Sequence, residues 1–193
     1  SASTSAATAW APSHSLTTSV AAPSPSPPGS RPYTQAWAAG SLGSSAVTVA
    51  ILDTGIGYTH ADLAGLVDLG RSASFLPAED AMVQAYFPGA HPIADLGYHG
   101  THVAATVSSN AYAAAGVTSS VTLMGVKVCY GAAGSGCPWG ALLAGLRHAA
   151  ENGADVVNLS LAGGFLKMDY PGFASVINRA FLYLNRLGVT VVV

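Results

Sequence analysis

Charge is scarce in this chain. Only 8% of its 193 residues are charged, whereas about 25% are charged in a typical soluble domain. A formal net charge of -2 provides neither the basic surface that nucleic acid attracts nor the positive patch that an anionic membrane attracts. Hydrophobic residues make up 50% of the chain, but no apolar run reaches the roughly 18 residues that span a bilayer. The composition therefore predicts neither a nucleic-acid partner nor a membrane partner.

Cysteine is equally scarce. The chain has 2 cysteines, Cys129 and Cys137, and they make a poor zinc site because such sites usually have four ligands. A local disulfide is the favoured interpretation, and a pair of buried free thiols is the alternative. A disulfide would indicate an oxidising compartment, which agrees with the many small uncharged residues in predicting a secreted protein. The chain does not begin with the basic and apolar segments of a signal peptide, so we expect any export signal to have been removed.

The beginning of the chain differs in composition from the rest. Residues 1–30 are rich in Ser, Ala, Thr and Pro, and such a segment cannot bury enough apolar surface to offset the entropy of ordering it. We therefore expect an extended arm or linker over 1–30. Globular patterning begins after it, and 31–193 is predicted to belong to a folded domain.

Hydrophobic periodicity from residue 47 onward alternates between strands and helices. Strands are predicted at 47–52, 121–128, 154–161 and 189–193, and helices at 99–109, 138–152 and 173–187. Gly153 is the expected stop of the second helix. The alternation predicts an α/β fold, a three-layer sandwich in which helices cover a mostly parallel central sheet. The segment 54–98 contains one predicted short helix near 79–85, where Glu79 and Asp80 are interpreted as a solvent-facing pair.

Two motifs place reactive side chains at the ends of these elements. Asp-Thr-Gly at 53–55 follows the first strand directly, and His-Gly-Thr-His at 99–102 opens the first helix. A serine hydroxyl becomes a good nucleophile when a base takes its proton, and histidine suits that task because it titrates near neutral pH. An aspartate then holds the imidazole in the right tautomer. Asp53 and His99 are therefore predicted to be the orienting carboxylate and the general base of an Asp/His/Ser triad.

The two motifs resemble those of a known family. The sequences at 49–56 and 99–104 are similar to the aspartate and histidine motifs of the subtilisin-like serine proteases, or subtilases. The stretches 125–128, 134–136 and 158–161 agree with that family in order and spacing, so the resemblance covers about 33–193. It implies that 31–193 is the N-terminal portion of a subtilisin-like peptidase domain and that the protein is a secreted serine endopeptidase.

The resemblance also implies how a polypeptide substrate binds. Subtilases clamp the substrate as an extended strand between two walls, a form of strand addition. By the resemblance, the wall residues are Gly134, Ser135 and Gly136 on one side and Ser160, Leu161 and Ala162 on the other. A disulfide between Cys129 and Cys137 would brace the first wall. His102 is expected to be structural, and no cofactor is required for the chemistry.

The serine third of the triad is missing from the sequence. The family's Gly-Thr-Ser motif, with a small residue and Ala after it, occurs nowhere in the 193 residues. The apolar run 189–193 predicts a strand buried on both faces, so we expect a C-terminal remainder of the domain, carrying the serine, to follow Val193. The fold is then incomplete at the C-terminus, and the chain alone is expected to be inactive. The alternative is a truncated or nicked subtilase that acts only as a peptide-binding or structural piece.

Calcium is a further expectation that the resemblance raises. Asp62 matches a calcium ligand of some subtilases, but the stretch 110–116 is shorter than the loop that completes that site. A structural calcium ion at Asp62 is therefore one expectation, and a capping or solvent-facing aspartate is the other. Ala162 stands where the family usually has glycine, which is expected to narrow the cleft.

Two other classes of protein share parts of these motifs. Asp-Thr-Gly also marks aspartic proteases, but those need two such loops on an all-β fold, and this helix-rich sequence has one. A metal site could be composed of Asp95, His99 and His102, but no carboxylate stands at the spacing of the metalloprotease motif. Both alternatives are disfavoured on these grounds, and no metal ligand is predicted.

Overall fold

The computed structural model describes residues 37–161 and 171–193. The arm predicted at 1–30 and the wall residue Ala162 lie outside these ranges, and both remain predictions. Within the described ranges, no helix is both long enough and apolar enough to cross a membrane.

Strands and helices alternate along the described residues. The strands are β1 (Thr48–Asp53), β2 (Ala73–Ser74), β3 (Thr122–Lys127), β4 (Val156–Asn158) and β5 (Thr190–Val192). The helices are α1 (Pro77–Tyr86), α2 (His99–Val107), α3 (Trp139–Glu151) and α4 (Pro171–Arg186). Each strand and helix predicted from residue 47 onward is found within a few residues of its expected ends. The sequence does not predict β2, because a strand of 2 residues carries no periodic signal.

The strands form one parallel sheet in the order β2-β3-β1-β4-β5. β1 lies between β3 and β4 and pairs in parallel with both. Parallel neighbours must be joined by crossovers that pass over a face of the sheet, and the helices supply these crossovers. The predicted α/β fold with a parallel sheet and flanking helices is confirmed.

Side-chain alternation along β1 separates the two faces of the sheet. Ala50 and Leu52 lie in a core cluster with residues of α3 and α4, whereas Val49 and Ile51 lie in a second cluster with residues of α2. Burying a side chain as large as Leu52 contributes about 1.5–3 kcal/mol. Asp53 continues the odd-numbered series, so its side chain leaves the sheet on the side of α2.

α3 shows how the sequence sets a helix and its end. Leu142, Leu146 and Ala149 are buried along one face, at the spacing of an amphipathic helix. The helix ends at Glu151, and Gly153 follows with a φ of 76°, a left-handed conformation that glycine adopts without a steric penalty. The stop predicted at Gly153 is confirmed.

One prediction for the segment 54–98 is wrong. Glu79 does not face solvent, because its side chain is 0% exposed. α1 carries it beneath the loop that follows β3, and backbone N–H groups of that loop bind its carboxylate. Periodicity within a short helix cannot reveal this burial, since the covering loop is distant in sequence.

Candidate active site

Asp53 and His99 meet at the carboxyl end of β1. Nδ1 of His99 lies 2.7 Å from Oδ1 of Asp53. Because a carboxylate accepts, Nδ1 donates in this contact, so that in the neutral imidazole Nε2 is the acceptor. The Asp53 side chain is 1% exposed and the His99 side chain is 55% exposed. The carboxylate is therefore shielded from water, while the imidazole is open to a reactant, as the orientation of a general base requires.

Backbone hydrogen bonds hold Asp53 in place. Its carbonyl oxygen accepts from the N–H groups of Val128 and Cys129, at 2.9 and 3.1 Å, which joins the end of β1 to the end of β3. Its Oδ1 also accepts from the N–H of Thr54 at 2.7 Å. The carboxylate cannot turn away from His99 without losing this second bond.

The first turn of α2 approaches the loop after β1 closely at Gly100. A Cβ on Gly100 would collide with the carbonyl oxygen of Gly55 and would lie 3.0 Å from the Cβ of Asp53. The N–H of Gly100 instead donates to Oγ1 of Thr54 at 2.9 Å. Glycine at this position lets the first turn of α2 come close enough to bring His99 to its partner.

Asp95 joins the loop after β1 to α2. Its Oδ1 accepts from Oγ1 of Thr54 at 2.9 Å. Its Oδ2 accepts from the N–H and the hydroxyl of Thr101, at 2.9 and 2.5 Å. A carboxylate is favoured at the first turn of a helix, where N–H groups are unpaired. Sequence reasoning misses this role, although an aspartate shortly before the start of α2 is a signal for it.

These contacts argue against a metal site at Asp95, His99 and His102. Both oxygens of Asp95 are engaged by N–H and hydroxyl donors, and His99 faces Asp53. Among residues 37–161 and 171–193, no group of three or more His, Cys, Asp or Glu side chains could hold a metal ion.

The loops predicted to form the substrate walls flank Asp53. β3 and β4 are the neighbours of β1, so the loops that follow them emerge at the same edge of the sheet and on opposite sides of Asp53. Leu161 is half-buried. The other wall residues that the structure describes are exposed, namely Gly134, Ser135, Gly136 and Ser160.

A disulfide closes the base of the loop that is predicted to form the first wall. Cys129 and Cys137 are bonded, with their Cα atoms 4.0 Å apart, which favours the disulfide over two free thiols. The N–H of Tyr130 also donates to the carbonyl oxygen of Gly136 at 3.0 Å. The backbone N–H of Cys129 also donates to the carbonyl oxygen of Asp53. The base of this predicted wall is therefore hydrogen-bonded directly to the residue that carries the carboxylate.

A buried lysine lies close to the site. Lys127, at the end of β3, is 0% exposed, and its Nζ donates to the carbonyl oxygen of Ala94 at 2.6 Å. Burial lowers the pKa of Lys127, while the carboxylates of Glu79, Asp80 and Asp95 act in the opposite direction. Acids on α1 and on the loop before α2 thus offset part of the cost of burying the charge of the lysine.

Asp62 caps a loop through backbone N–H groups. Those of Tyr112, Ala113 and Ala114 donate to its carboxylate at 2.5, 3.0 and 3.3 Å. The bond from Ala113 lowers the pKa of Asp62 most, burial opposes it, and the bonds from Tyr112 and Ala114 lower it further. Calcium binds oxygen ligands, so N–H groups that face the carboxylate do not fit the ion. The contacts favour the capping interpretation of Asp62.

Comparison with known proteins agrees with this architecture. The model of the subtilase family matches residues 44–193, and the chain therefore belongs to the subtilase family of serine proteases. It is 35% identical over 158 residues to the minor extracellular protease Vpr of Bacillus subtilis (strain 168), which covers 80% of this chain and 19% of that protein. It is 41% identical over 122 residues to subtilisin Savinase of Lederbergia lenta, which covers 62% of this chain and 39% of that protein.

Solved structures share the fold. The nisin leader peptidase NisP from Lactococcus lactis has a TM-score of 0.59 at 24% identity, over 77% of this chain and 43% of that chain. Fervidolysin from Fervidobacterium pennivorans, a keratinolytic enzyme related to subtilisin, has a TM-score of 0.54 at 27% identity, over 81% of this chain and 22% of that chain. The chain spans less than half the length of each of these four relatives. The all-β fold of an aspartic protease does not match this architecture.

Proposed function

We propose that this chain supplies the aspartate and the histidine of the catalytic triad of a secreted serine endopeptidase. Asp53 orients His99, and His99 takes the proton of a serine hydroxyl as that hydroxyl attacks a peptide carbonyl. His99 then returns the proton to the leaving amine. The serine comes from a further segment of the peptidase domain, of which 31–193 forms the N-terminal portion.

The contact between Asp53 and His99 carries the proposal. Family membership alone is compatible with an inactive member, because a fold does not determine an activity. A buried carboxylate 2.7 Å from Nδ1 of an exposed histidine is a more specific observation. It supports a base whose Nε2 is positioned for proton transfer.

Polypeptide substrates fit the same proposal. The loops after β3 and β4 stand on either side of Asp53, and an extended peptide between them could pair its backbone with the exposed stretch 134–136 on one side and with the exposed Ser160 on the other. Alternation of side chains along such a peptide would direct every second residue into the cleft. The chemistry needs no cofactor, since a serine nucleophile and an oriented base suffice.

Two observations support secretion. The relative Vpr is named an extracellular protease. Cys129 and Cys137 form a disulfide, and disulfides persist in oxidising compartments outside the cytosol.

Replacing His99 with alanine in the full-length protein tests the proposal. We expect kcat to fall by about 10⁴-fold or more. We also expect the nucleophilic serine to react with a fluorophosphonate probe far more slowly in the variant than in the wild type. His60→Ala is the matched control, because its side chain is 54% exposed, much like that of His99, but lies beside Asp62. It should keep wild-type activity. Wild-type turnover by His99→Ala, or a wild-type protein that never reacts with the probe, would contradict the proposal.

A catalytically inactive, peptide-binding or structural subtilase piece is the second candidate. The absence of the serine motif from the 193 residues favours it for this chain taken alone. We expect the isolated 19.3 kDa chain to hydrolyse no peptide and to take up no fluorophosphonate. Inhibitor-sensitive hydrolysis by that chain alone would refute this expectation, whereas labelling of a longer chain or of a co-purifying fragment supports the triad.

A further inference from the structure

We propose that Glu79 is a positioning residue for the first substrate wall. Its buried carboxylate holds the backbone of residues 131–133, and this contact sets the geometry in which residues 134–136 receive a peptide. The inference rests on the proposed function, since it concerns the same cleft.

The carboxylate binds three consecutive backbone amides. Oε1 of Glu79 accepts from the N–H groups of Gly131 and Ala132, both at 3.0 Å. Oε2 accepts from the N–H of Ala133 at 2.8 Å and from that of Ala132 at 3.3 Å. Successive N–H groups that converge in this way form a concave anion site, and here the anion is a side chain of α1.

The charge of Glu79 is fixed in position and compensated. The side chain is 0% exposed, and a buried charge is costly unless it is paired and hydrogen-bonded. Lys127 lies near enough to interact with it electrostatically. Glu79 also lies in the first turn of α1, where the helix dipole favours a negative charge. Hydrogen bonds to a charged acceptor are about twice as strong as neutral ones, so this is a firm attachment for the loop.

The rest of the first wall depends on this attachment. The disulfide and the bond from Tyr130 to Gly136 hold the base of the loop, but residues 131–133 are one glycine and two alanines, which have little side chain to pack. The exposed stretch 134–136 follows them directly. Without Glu79, these three loop amides would lose their hydrogen-bond partner, and hydrogen bonds would hold the loop only through the Tyr130–Gly136 pair at its base.

The loop that Glu79 holds also contacts the segment that leads to His99. A Cβ on Gly131 would lie 2.6 Å from the backbone nitrogen of Gly97 and 3.0 Å from Oε1 of Glu79. The first wall therefore packs closely against the loop before α2. Glu79 acts on the peptide through the wall, while the Asp53–His99 pair has its own hydrogen bonds, so the two effects can be separated by experiment.

Glu79→Gln in the full-length protein removes the charge and keeps the size of the side chain. The NH2 group of the new glutamine would face a loop N–H that donates to the carboxylate in the wild type, so two donors would oppose each other. We expect the KM of a tetrapeptide p-nitroanilide, which must lie along the wall, to rise about tenfold. The rate of fluorophosphonate labelling, which needs the triad but not the wall, should stay close to that of wild type. Glu151→Gln is the matched control, because it makes the same chemical change at the end of α3, where the side chain is 50% exposed.

An unchanged KM in Glu79→Gln would overturn the inference. A fall in labelling rate that parallels the rise in KM would also overturn it, because it would show a general disturbance of the fold. Should the variant not fold, amide hydrogen exchange in the wild type decides: slow exchange at residues 131–133 relative to 134–136 supports the attachment, and equally fast exchange refutes it. A wild type that neither labels nor hydrolyses peptides would refute the proposed function instead, and the exchange measurement would still test Glu79.

Discussion

Replacing Gly100 with alanine would drive α2 away from β1 by adding one methyl group. The new Cβ would collide with the carbonyl oxygen of Gly55 and would lie 3.0 Å from the Cβ of Asp53. These neighbours are backbone or are fixed by backbone hydrogen bonds, so they cannot swing aside as the end of a long side chain can. The first turn of α2, which carries His99, must move instead.

The size of the effect follows from the contact distances. Restoring ordinary van der Waals separation requires a shift on the order of 1 Å. Such a shift would stretch the His99–Asp53 contact, now 2.7 Å, beyond the range of a good hydrogen bond. A misplacement of about 1 Å at an active site costs about 10²-fold in rate, and overpacking costs about 1–3 kcal/mol of stability.

Activity is measured as kcat/KM for a peptide p-nitroanilide in the full-length protein. Stability is measured by urea unfolding in a His99→Ala background, so that the protein does not digest itself. Gly140→Ala is the control, because it makes the same substitution in the first turn of α3, where a Cβ meets nothing within 4 Å. It should keep full activity and gain up to about 1 kcal/mol from helix propensity. Wild-type kcat/KM in Gly100→Ala would refute the idea that close backbone packing holds the catalytic pair together.

Three further predictions concern stability, each measured by urea unfolding in the same His99→Ala background. Replacing Cys129 and Cys137 with serine should lower the free energy of unfolding by about 2.5 kcal/mol, given their sequence separation of 8; no loss would contradict a stabilising bridge. Because the hydrogen bond from the N–H of Ala113 lowers the pKa of Asp62 in the folded state below its usual value of 3.8, the stability that Asp62 contributes is present above that value and is lost as pH falls through the lower folded pKa. Asp62→Asn should therefore flatten the decline in stability as pH falls through 3.8 and below, and an unaltered decline would show that Asp62 does not contribute to it. Leu146→Ala, at a side chain 1% exposed, should cost about 2–5 kcal/mol, and a negligible cost would show that this core is loosely packed.

Local patterns in the sequence were sufficient to predict the strands, the helices and the candidate catalytic residues. The run before Asp53 is apolar and short because β1 is buried on both faces, and the periodicity of α3 matches its single buried face. Asp53 and His99 are recognisable because each belongs to a compact motif at the end of an element. A parallel sheet then brings the ends of its central strands to one edge, so the meeting of these motifs follows from topology.

Contacts between distant segments decided the rest. Glu79 has the local appearance of a surface charge, yet its partners are backbone amides more than 50 residues away, at a sequence separation of 52 for Gly131. Asp62 and Asp95 are likewise defined by the donors that face them, across separations of 50 to Tyr112 and 41 to Thr54. Periodicity specifies which face of an element is apolar, but it carries no information about which loop will cover a polar side chain. The sequence by itself therefore determined the family, the order of elements and the candidate pair Asp53 and His99. Only the tertiary structure decided which carboxylates hold the surrounding loops, because backbone N–H donors leave no mark on side-chain patterns.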